Sequence, residues 1–523
     1  MVWKADTPEG NESAKIRWEL VPYTRGFGYD LGCGVFKGFP HFIGIDDKTD
    51  EKLFRVKMTP DIPMSCERLD RFASQSADFI FSSHLLEHIE DYKGALRDWW
   101  RVVKVGGYLC LYLPHKDLYP NVGTKGSNED HKHDFQPSDI EAVMAELPDG
   151  WDLVEDQVRG EGNEYSFFQV YKKLGHKARR HSAREAKPEK TCAVVRYGAF
   201  GDLIMTSSIL PQLKAEGYHI TLYSSPIGYE VVKHDPHIDR VILQDPDQVP
   251  NAALGEFFDA IEKKYDRFIN LCESVEGSFL AMPGRAASRM PKNARHRLMN
   301  VNYIEFTHLM AGLTLAPAQR FYASKDEKEW AKRERQKIGG DYVVMWSLAG
   351  SSIHKTWPHL DTIVARILLT VPGSRIVLVG DETCKLLEGG WEGESRVVRR
   401  SGIWSIRESL AFLAECDLVV GPETGVMNAA ALMPVPKVVT LSHSSHENLT
   451  RDWINTTALE PQDTPCYPCH KMHHGFAGCA EGFLPHPQNP GEMMRVGSLC
   501  QVNISPDQMW NALVPYLQMR EAA

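Results

Sequence analysis

Short apolar runs alternate with amphipathic stretches along most of the chain, and this pattern predicts an α/β protein. The first third contains four apolar runs that predict buried parallel strands, at residues 27–31, 41–45, 77–82 and 107–113. Residues 85–103 have helical spacing between the last two runs. Two extended runs near the end, 151–157 and 166–172, are expected to pair antiparallel. This part of the chain therefore predicts one α/β domain with an open sheet.

A strongly basic segment divides the chain. Residues 172–190, KKLGHKARRHSAREAKPEK, hold eight Lys or Arg against two Glu and almost no large apolar side chain. Such a segment cannot bury itself, so it predicts a solvated linker. A basic arm that contacts nucleic acid or anionic lipid is the alternative.

After this segment the alternation of strands and helices restarts. Apolar runs predict strands at 191–198, 219–225, 240–243, 266–271, 342–350, 374–382, 417–425 and 436–442. Helical spacing is found at 202–215 and at 326–340. Two successive units of the nucleotide-binding type, joined by a helical connector, predict a cleft between them.

Length and charge narrow the class of protein. A chain of 523 residues predicts about three or four globular domains. The net charge of −10 does not favour a protein that binds nucleic acid as its main function. No apolar run approaches the roughly 18 residues of a membrane span, and residues 1–20 lack the apolar core of a signal peptide. We therefore expect a cytoplasmic protein whose contact with membranes is peripheral at most.

The first candidate for chemistry is the stretch GYDLGCG at 28–34. A predicted strand leads into Gly32-Cys33-Gly34, where glycines allow the backbone to approach a ligand closely at the carboxyl end of the strand. The next strand ends in Asp46, which is placed to accept hydrogen bonds from a ribose diol. Together these features predict a nucleoside ligand.

Four ordered motifs carry a family resemblance over roughly residues 20–173. DLGCG, IGID, ADFIFSSHLLEHIED and ALRDWWRVVKVGGYLCLYLPH resemble the class I S-adenosylmethionine-dependent methyltransferases, nearest to the small-molecule type 11 group. The resemblance implies that three residues hold the methionine end of the cofactor and that Asp46 binds its ribose. The methionine-end residues are Asp30, Gly32 and Gly34. The floor of the implied site is lined by Ser82, Ser83 and His84.

The methyl acceptor is predicted to be an oxygen or nitrogen atom of a small molecule or sugar. The NPPY and DPPY signatures of amino-group DNA methyltransferases and a Pro-Cys nucleophile are absent from this domain. A hydroxyl acceptor benefits from a general base, and four histidines are candidates: His84, His88, His131 and His133. His88 is expected to pack at its helix, and the polar loop that carries His131 and His133 predicts a lid or a base. A two-histidine metal site is a further alternative.

The second half of the chain carries another resemblance, over nearly all of 190–520. RYGAFGDLIMTSSILPQLK, WSLAGSSIHKTWP and DLVVGPETGVMNAAALMPVPKVVTL resemble the heptosyltransferases of glycosyltransferase family 9. The resemblance implies a GT-B fold of two Rossmann-like domains and an inverting transfer from a nucleotide-diphospho-sugar, commonly ADP-heptose, without an obligatory metal. The predicted order is a Rossmann-like methyltransferase domain at 1–173, a basic linker at 174–190, an acceptor-side domain at 191–325, and a donor-binding domain at 326–523 that ends in a helix.

The resemblance assigns a catalytic role to Asp202 and to Lys355. Asp202 would be the general base that takes the proton from the acceptor hydroxyl, with an ordinary helix N-cap as the alternative. Lys355, together with Ser351 and Ser352, would neutralise the departing diphosphate.

The last motif would complete the donor site. The backbone N–H groups of Thr424 and Gly425 open a helix and are predicted to face the diphosphate. Family members usually read Asp-Ser/Thr-Gly-x-x-His here, whereas this chain has Glu423 and Asn428 at the acid and the histidine positions. Both side chains still offer hydrogen bonds, so a nucleotide-sugar is expected, although the sugar need not be heptose.

Four of the eleven cysteines cluster near the C-terminus. They could close a tetrahedral structural zinc site, with a disulfide or free thiols as the alternatives. These cysteines are Cys466, Cys469, Cys479 and Cys500.

Taken together, the sequence predicts a bifunctional enzyme. It would transfer a heptose-like sugar to a glycan acceptor with inversion and would methylate a sugar or glycan hydroxyl with S-adenosylmethionine. One alternative is a glycosyltransferase whose first domain binds the cofactor or docks without catalysis. The other is an enzyme that modifies nucleic acid, which the acidic charge does not favour.

Overall fold

The computed structural model describes residues 11–48, 57–272, 286–316, 318, 320–350, 352–472, 479–486, 488–489 and 491–518. The predicted site residue Ser351 lies outside these described residues. The chain forms two compact units, Met1–Glu189 with Ile242–Asp266, and Lys190–Val241 with Arg267–Ala523. Each unit is built on parallel β-sheet with helices, so the predicted α/β fold class is confirmed.

The first unit contains an eight-stranded sheet. Its strands are β1 Gly28–Leu31, β2 Ile43–Asp46, β3 Ile62–Pro63, β4 Ala77–Ser83, β5 Val103–Pro114, β6 Gly150–Arg159, β7 Ser166–Leu174 and β8 Arg179–Arg180. They lie in the order β3-β2-β1-β4-β5-β7-β6-β8. Strand β7 is antiparallel to both β5 and β6, whereas β1 to β5 pair in parallel. The predicted parallel strands and the predicted antiparallel pair are confirmed.

The strand order reverses at β1, and this reversal positions the first site. The chain leaves β1 towards β2 and β3 on one side and returns to β4 on the other side. Connections that diverge in this way open a crevice at the carboxyl ends of the two central strands, where ligands bind in open α/β sheets.

The chain after residue 190 forms two further parallel sheets. The strands are β9 Thr191–Arg196, β10 His219–Ser224, β11 Arg240–Leu243, β12 Arg267–Asn270, β13 Tyr342–Ser347, β14 Ser374–Val379, β15 Val397–Arg399, β16 Leu418–Pro422, β17 Lys437–Thr440, β18 Thr456–Leu459, β19 Glu481–Pro485 and β20 Met493–Ser498. One sheet has the order β11-β10-β9-β12 and the other β15-β14-β13-β16-β17-β18, while β19 and β20 form an antiparallel pair. All eight strands predicted in this part are present.

Helices cover these sheets. They are α1 Arg17–Leu20, α2 Tyr92–Val102, α3 Pro137–Ala145, α4 Phe200–Ser207, α5 Leu210–Ala215, α6 Pro226–Val232, α7 Leu254–Glu262, α8 Lys292–Met299, α9 Tyr303–Met310, α10 Lys325–Ile338, α11 Leu360–Thr370, α12 Ile406–Phe412, α13 Gly425–Ala430, α14 Leu499–Val502 and α15 Pro506–Gln518. None of the helices in the described part of the chain combines the length and the apolar character that a bilayer span requires.

The helix predicted at 85–103 is shorter than its sequence pattern indicates. A single 3₁₀ turn, Leu86–His88, follows β4, and α2 begins only at Tyr92. Asp91 separates the two, because its carboxylate caps α2 by accepting a hydrogen bond from the Gly94 N–H at 2.9 Å. The residues of the 3₁₀ turn therefore stay at the edge of the sheet instead of moving away along a helix.

The helix predicted at 202–215 is also divided. It begins earlier than expected as α4, ends at Ser207, and continues as α5. Pro211 lies in the first turn of α5, where its missing N–H group is tolerated. A helix running through this position would lack that hydrogen bond, which explains the division.

Part of the basic segment is ordered against the first unit. Strand β8 pairs in parallel with β6, and the Arg184 Nη2 atom lies 2.7 Å from Asp156 Oδ2 and also contacts Glu141. Most side chains from 175 to 190 are nevertheless exposed. The predicted solvation is thus observed, but residues 179–184 are anchored and do not form a free linker.

A buried ion pair joins α10 and α12 in the second unit. Arg407 is only 2% exposed, and its Nη2 atom lies 2.7 Å from Glu327 Oε2. The same guanidinium donates to the carbonyls of Glu230, Val231 and Tyr322. Burial opposes ionisation of Glu327, yet the hydrogen bonds from Arg407 and Ser324 lower its pKa to about 2.

Replacing Arg407 with Met should lower the free energy of unfolding by about 3 kcal/mol, because it leaves a carboxylate and three carbonyls without their buried donor. The stabilisation of ionised Glu327 is fully present above about pH 4.5 and is lost as the pH falls towards 2. The parent chain should therefore lose more stability than R407M between pH 5 and pH 3, in urea unfolding followed by circular dichroism.

Arg333→Met is the matched control, because Arg333 lies on the same helix α10 and is 61% exposed beside Glu329. We expect a change of less than about 0.5 kcal/mol for this exposed pair. Equal losses for the two variants, or parallel pH profiles for R407M and the parent, would contradict the assignment.

Candidate active sites

The glycine turn after β1 is the first feature of the crevice in the first unit. Gly32 and Gly34 have φ of +67° and +53°, a region that favours glycine. A Cβ atom on Gly32 would meet the Leu85 side chain at 2.9 Å, whereas no described atom lies within 4 Å of a Cβ on Gly34. The inner side of the turn is therefore tightly packed, and its outer side is clear for a ligand.

Asp46, at the end of β2, fastens this turn to the neighbouring strand. Its Oδ2 atom accepts a hydrogen bond from the Gly34 N–H at 2.9 Å, and its Oδ1 atom accepts one from the Lys48 N–H at 2.8 Å. Each carboxylate oxygen can accept a further hydrogen bond. The role predicted for Asp46 in binding ribose hydroxyls stays a prediction.

Asp30, in β1, is a buried carboxyl group beside the turn. It is 2% exposed, and its Oδ2 atom accepts a hydrogen bond from the Gly38 N–H at 2.7 Å. Burial raises the pKa of Asp30 to about 7. A cationic ligand group next to it would favour the ionised carboxylate.

The end of β4 brings a set of polar side chains to the same edge. Ser82 is paired in register with Leu31 of β1. The hydroxyl groups of Ser82 and Ser83 are buried and have no hydrogen-bond partner within the described residues. The His84 Nε2 atom lies 2.9 Å from Ser166 Oγ, and burial lowers the pKa of His84 to about 3, so its ring is neutral.

A cluster of histidines surrounds the carboxyl group of Glu87. Glu87 is fully buried, and neither of its oxygens has a hydrogen-bond partner among the residues that the structure describes. Its Oε1 atom lies 3.7 Å from His84 Nδ1, 4.0 Å from His88 Nε2 and 3.9 Å from His131 Nε2. Burial raises the pKa of Glu87 to about 8 and lowers the pKa of His131.

The loop that carries His131 and His133 is fastened to the turn after β4. The Lys132 N–H donates to the Glu87 carbonyl at 2.7 Å. His131 is buried beside the Glu87 carboxyl group, whereas the His133 Nε2 atom lies 3.0 Å from the Ile89 carbonyl. The structure thus brings His131 into the crevice and directs His133 to the main chain, and the catalytic role of both stays a prediction.

Asp202, in the second unit, occupies the first turn of α4. Its Oδ2 atom accepts a hydrogen bond from the Ala199 N–H at 2.8 Å, and its Oδ1 atom lies 2.8 Å from Arg196 Nη2. Arg196 is 3% exposed and also donates to the Leu271 carbonyl. The capping role is therefore observed, and the role of general base is left as a prediction.

Lys355 and Glu423 form a buried charged pair next to Asp202. The Lys355 Nζ atom donates to the Glu423 carbonyl at 3.1 Å. Burial lowers the pKa of Lys355, while the charges of Glu423 and Asp202 oppose this effect. The Glu423 Oε1 atom lies 2.8 Å from His443 Nδ1 and accepts hydrogen bonds from Ser442. Burial opposes ionisation, but these contacts hold the pKa of Glu423 well below its usual range.

The start of α13 approaches the start of α4 closely. A Cβ atom on Gly425 would meet Phe200 Cβ at 3.2 Å. Thr424 caps α13 through its Oγ1 atom, which accepts a hydrogen bond from the Met427 N–H at 3.3 Å. Asn428 donates to the Thr424 carbonyl at 3.1 Å, and its Oδ1 atom is buried without a partner within the described part of the chain. The motifs that carry Asp202 and Asn428 thus meet.

A cavity of about 70 Å³ lies beside Lys355. It is lined by basic and polar side chains that include Ser352 and His354, and by the four clustered cysteines Cys466, Cys469, Cys479 and Cys500. All four are free thiols, so the predicted disulfide alternative is not what the structure has. Burial raises the pKa of Cys469 and Cys500 to about 12 and that of Cys479 to about 11.

Two residues of these sites, Glu87 and His443, are not predicted as site residues from the sequence. Glu87 lies in the motif ADFIFSSHLLEHIED, but an acid between two histidines on an expected helix indicates a solvated face. His443 follows a buried strand and has no motif of its own. The position of each directly after a buried strand was the signal that was available.

The chain is similar to several solved structures. The E. coli ADP-heptose lipopolysaccharide heptosyltransferase II is 15% identical over 63% of this chain and 99% of that one, with a TM-score of 0.43. A glycosyltransferase family 9 protein from Veillonella parvula is 17% identical over 63% of this chain and 97% of that one, with a TM-score of 0.44.

An S-adenosylmethionine-dependent methyltransferase from Thermotoga maritima is 16% identical over 30% of this chain and 87% of that one, with a TM-score of 0.23. A search of curated proteins finds no match. Residues 29–111 match the family model described as a methyltransferase domain, and the first unit therefore carries a methyltransferase domain.

Proposed function

We propose that the chain is a transferase with two activities. The first unit transfers a methyl group from S-adenosylmethionine to a hydroxyl of a sugar or glycan. The second unit transfers a heptose-like sugar from a nucleotide-diphospho-sugar to a glycan acceptor, with inversion. The observation that carries the proposal is the convergence of the glycine turn, Asp46 and the unpartnered hydroxyls of Ser82 and Ser83 within the matched methyltransferase domain.

The residues of the first crevice fit an adenosyl amino acid. The clear side of the glycine turn admits a flat ring or a chain close to the backbone, and the buried hydroxyls of Ser82 and Ser83 offer the hydrogen bonds that a polar ligand needs. Asp30 would face the ammonium group and Asp46 the ribose hydroxyls. When bound, the cofactor supplies an activated methyl group, and this crevice would hold it and exclude water from it.

The acceptor proton would leave through the histidine cluster. Burial lowers the pKa of His131, so its ring is neutral at neutral pH and can accept a proton. His133 is the less favoured base, because its Nε2 atom lies 3.0 Å and 3.1 Å from two main-chain carbonyls.

The second activity is supported by the electrostatic effect of Asp202 on Lys355, whose pKa it raises against the effect of burial. Asp202 would take the proton from the acceptor hydroxyl, while Arg196 holds its carboxylate in place. Lys355, aided by Ser352 and by the N–H groups that open α13, would stabilise the negative charge of the departing diphosphate. Asp202 follows β9 of one sheet, and Lys355 follows β13 of the other. The two groups can therefore act on one reaction only when both sheets are assembled in the folded unit.

The four clustered thiols are proposed to form a structural metal site in the second unit. They line one cavity and are free, and sulfur ligands suit a structural zinc ion. The metal would bind the thiolates and displace their protons, which the buried neutral thiols otherwise keep.

S-adenosylhomocysteine, added to the full chain in isothermal titration calorimetry, should bind, and Asp46→Ala should weaken its binding at least tenfold because the ribose contacts and the fastened glycine turn are lost. Asp70→Asn, on the exposed surface of the same unit, should bind as the parent does. A parent chain that does not bind S-adenosylhomocysteine would leave the first unit as a docking domain and the methyltransferase half of the proposal wrong.

Nucleoside diphosphates test the second unit separately. We expect ADP to bind the parent more tightly than GDP or UDP, and Lys355→Met to weaken ADP binding at least tenfold because a buried ammonium is removed. Lys385→Met, an exposed lysine paired with Glu382, should leave ADP binding unchanged. Equal affinity of both variants for ADP would remove Lys355 from the donor site.

Elemental analysis tests the thiol cavity. The chain purified without chelator should contain zinc, and the double variant Cys466→Ser/Cys469→Ser should contain one equivalent less, with a lower melting temperature. Cys416→Ser is the control, since Cys416 is a thiol of the same unit outside the cavity. A parent chain free of bound metal after growth in zinc-supplemented medium would contradict the proposal.

A further inference from the structure

The carboxyl group of Glu87 lacks hydrogen-bond partners within the described residues, and a role in acid–base chemistry alone does not explain this. Its carboxyl group is fully buried, and neither oxygen has a hydrogen-bond partner within the described residues. An unpartnered buried carboxyl group costs free energy unless something compensates it. The nearby Lys132 N–H donates to the Glu87 carbonyl and not to its side chain.

The distances within the cluster are close to those between ligands of a single metal ion. His88 Nε2 and His131 Nε2 lie 4.0 Å and 3.9 Å from Glu87 Oε1, which is too long for a direct hydrogen bond. Two atoms that each lie about 2.1 Å from one metal ion are at most about 4.2 Å apart. One nitrogen of each histidine and one oxygen of Glu87 lie within 4.8 Å of one another, so the three atoms can close on a single ion with small side-chain movements.

We infer that Glu87, His88 and His131 form a binding site for a divalent transition-metal ion in the first unit. Two imidazoles and one carboxylate suit Zn²⁺, Co²⁺, Fe²⁺ or Ni²⁺ better than Mg²⁺ or Ca²⁺. Three protein ligands leave at least one coordination position for an oxygen atom of water or of an acceptor molecule. The inference rests on this geometry and does not depend on the proposed methyl transfer. When the ion is bound through His131 Nε2, that nitrogen is a ligand and no longer accepts the acceptor proton.

The surroundings of the cluster hold the three ligands in place. Glu87 and His88 lie on the short turn directly after β4, and the hydrogen bond from Lys132 ties the loop of His131 to that turn. The rings of His88 and His131 are nearly perpendicular, at 89°, with centroids 4.7 Å apart. Ligands that are fixed before binding lose little conformational freedom when an ion arrives.

His84 is not one of the three proposed ligands, although it lies next to them. Its Nε2 atom is engaged with Ser166 Oγ at 2.9 Å, and its Nδ1 atom lies 3.7 Å from Glu87 Oε1. His84 therefore lies next to the carboxyl group that would bind the ion.

Co²⁺ tests the inference, because its absorption reports its ligands. The full chain, freed of metal by a chelator, is dialysed against Co²⁺, and Glu87→Gln should bind one equivalent less than the parent. His131→Gln should weaken the same equivalent at least tenfold. The lost absorption should be the weak d–d bands of nitrogen and oxygen ligands, whereas the intense charge-transfer absorption of Co²⁺ at thiolates should stay unchanged.

His176→Gln is the matched control, since it removes an exposed histidine of the same unit and should leave the number of bound Co²⁺ ions unchanged. Equal Co²⁺ binding by the parent, Glu87→Gln and His131→Gln would overturn the inference. The cluster would then be explained by a bridging water molecule or by a proton shared between these side chains. The near-ultraviolet circular dichroism of the buried Trp99 and Trp100 reports whether each variant is folded.

The same samples separate this inference from the proposed function. A chain that binds S-adenosylhomocysteine while Glu87→Gln keeps all its Co²⁺ overturns the metal site alone. A chain that loses one Co²⁺ equivalent in Glu87→Gln but does not bind S-adenosylhomocysteine overturns methyl transfer alone.

Discussion

Three carboxyl groups are buried at the carboxyl ends of parallel strands, and the free-energy cost of that burial shapes both candidate sites. Asp30, Glu87 and Glu423 are each at most 3% exposed. Burial alone would keep each of them protonated, because the charged form loses its hydration. The three carboxyl groups differ in how many hydrogen-bond partners they have. A carboxyl group with partners stabilises the fold, whereas one without partners is a candidate for binding a ligand. Glu423 has a histidine and a serine on its Oε1 atom and no partner on Oε2, Asp30 has one backbone N–H, and neither oxygen of Glu87 has a hydrogen-bond partner within the described residues.

The compensated carboxylate, Glu423, explains how the last motif works with an unusual residue. Its side chain is one methylene longer than the aspartate that the resemblance leads one to expect. That length lets it reach the Ser442 and His443 N–H groups after the neighbouring strand β17, at 3.0 Å and 2.9 Å. The imidazole that Asn428 does not supply is thus present nearby as His443. The Glu423 side chain is thus held by the segment after β17, while its main-chain carbonyl accepts a hydrogen bond from Lys355.

Features of the fold and of the sites were predictable from the sequence where they depend on residues that are neighbours along the chain. The strands were predictable, because burial on both faces makes a parallel strand a continuous apolar run, as around the fully buried Val194 of β9 and Val344 of β13. Helix ends were not, since Asp91 and Pro211 each interrupt a helical pattern through one hydrogen bond that is made or missing. Glycines and acids of the crevices were found through motifs. Glu87 was not, because its burial depends on a loop more than forty residues further along the chain.

The contrast between Glu87 and Glu423 also bears on what each site can accept. Glu423 has an imidazole on Oε1 and the charge of Lys355 nearby, so a further cation there would meet positive charge. Glu87 faces three imidazoles at 3.7–4.0 Å, none of which donates a hydrogen bond to it. Neutral imidazoles are lone-pair donors as well as hydrogen-bond donors. A divalent cation would satisfy the carboxyl group and the lone pairs of the imidazoles at once. The same residue type thus supports the fold in one unit and forms an open ligand site in the other.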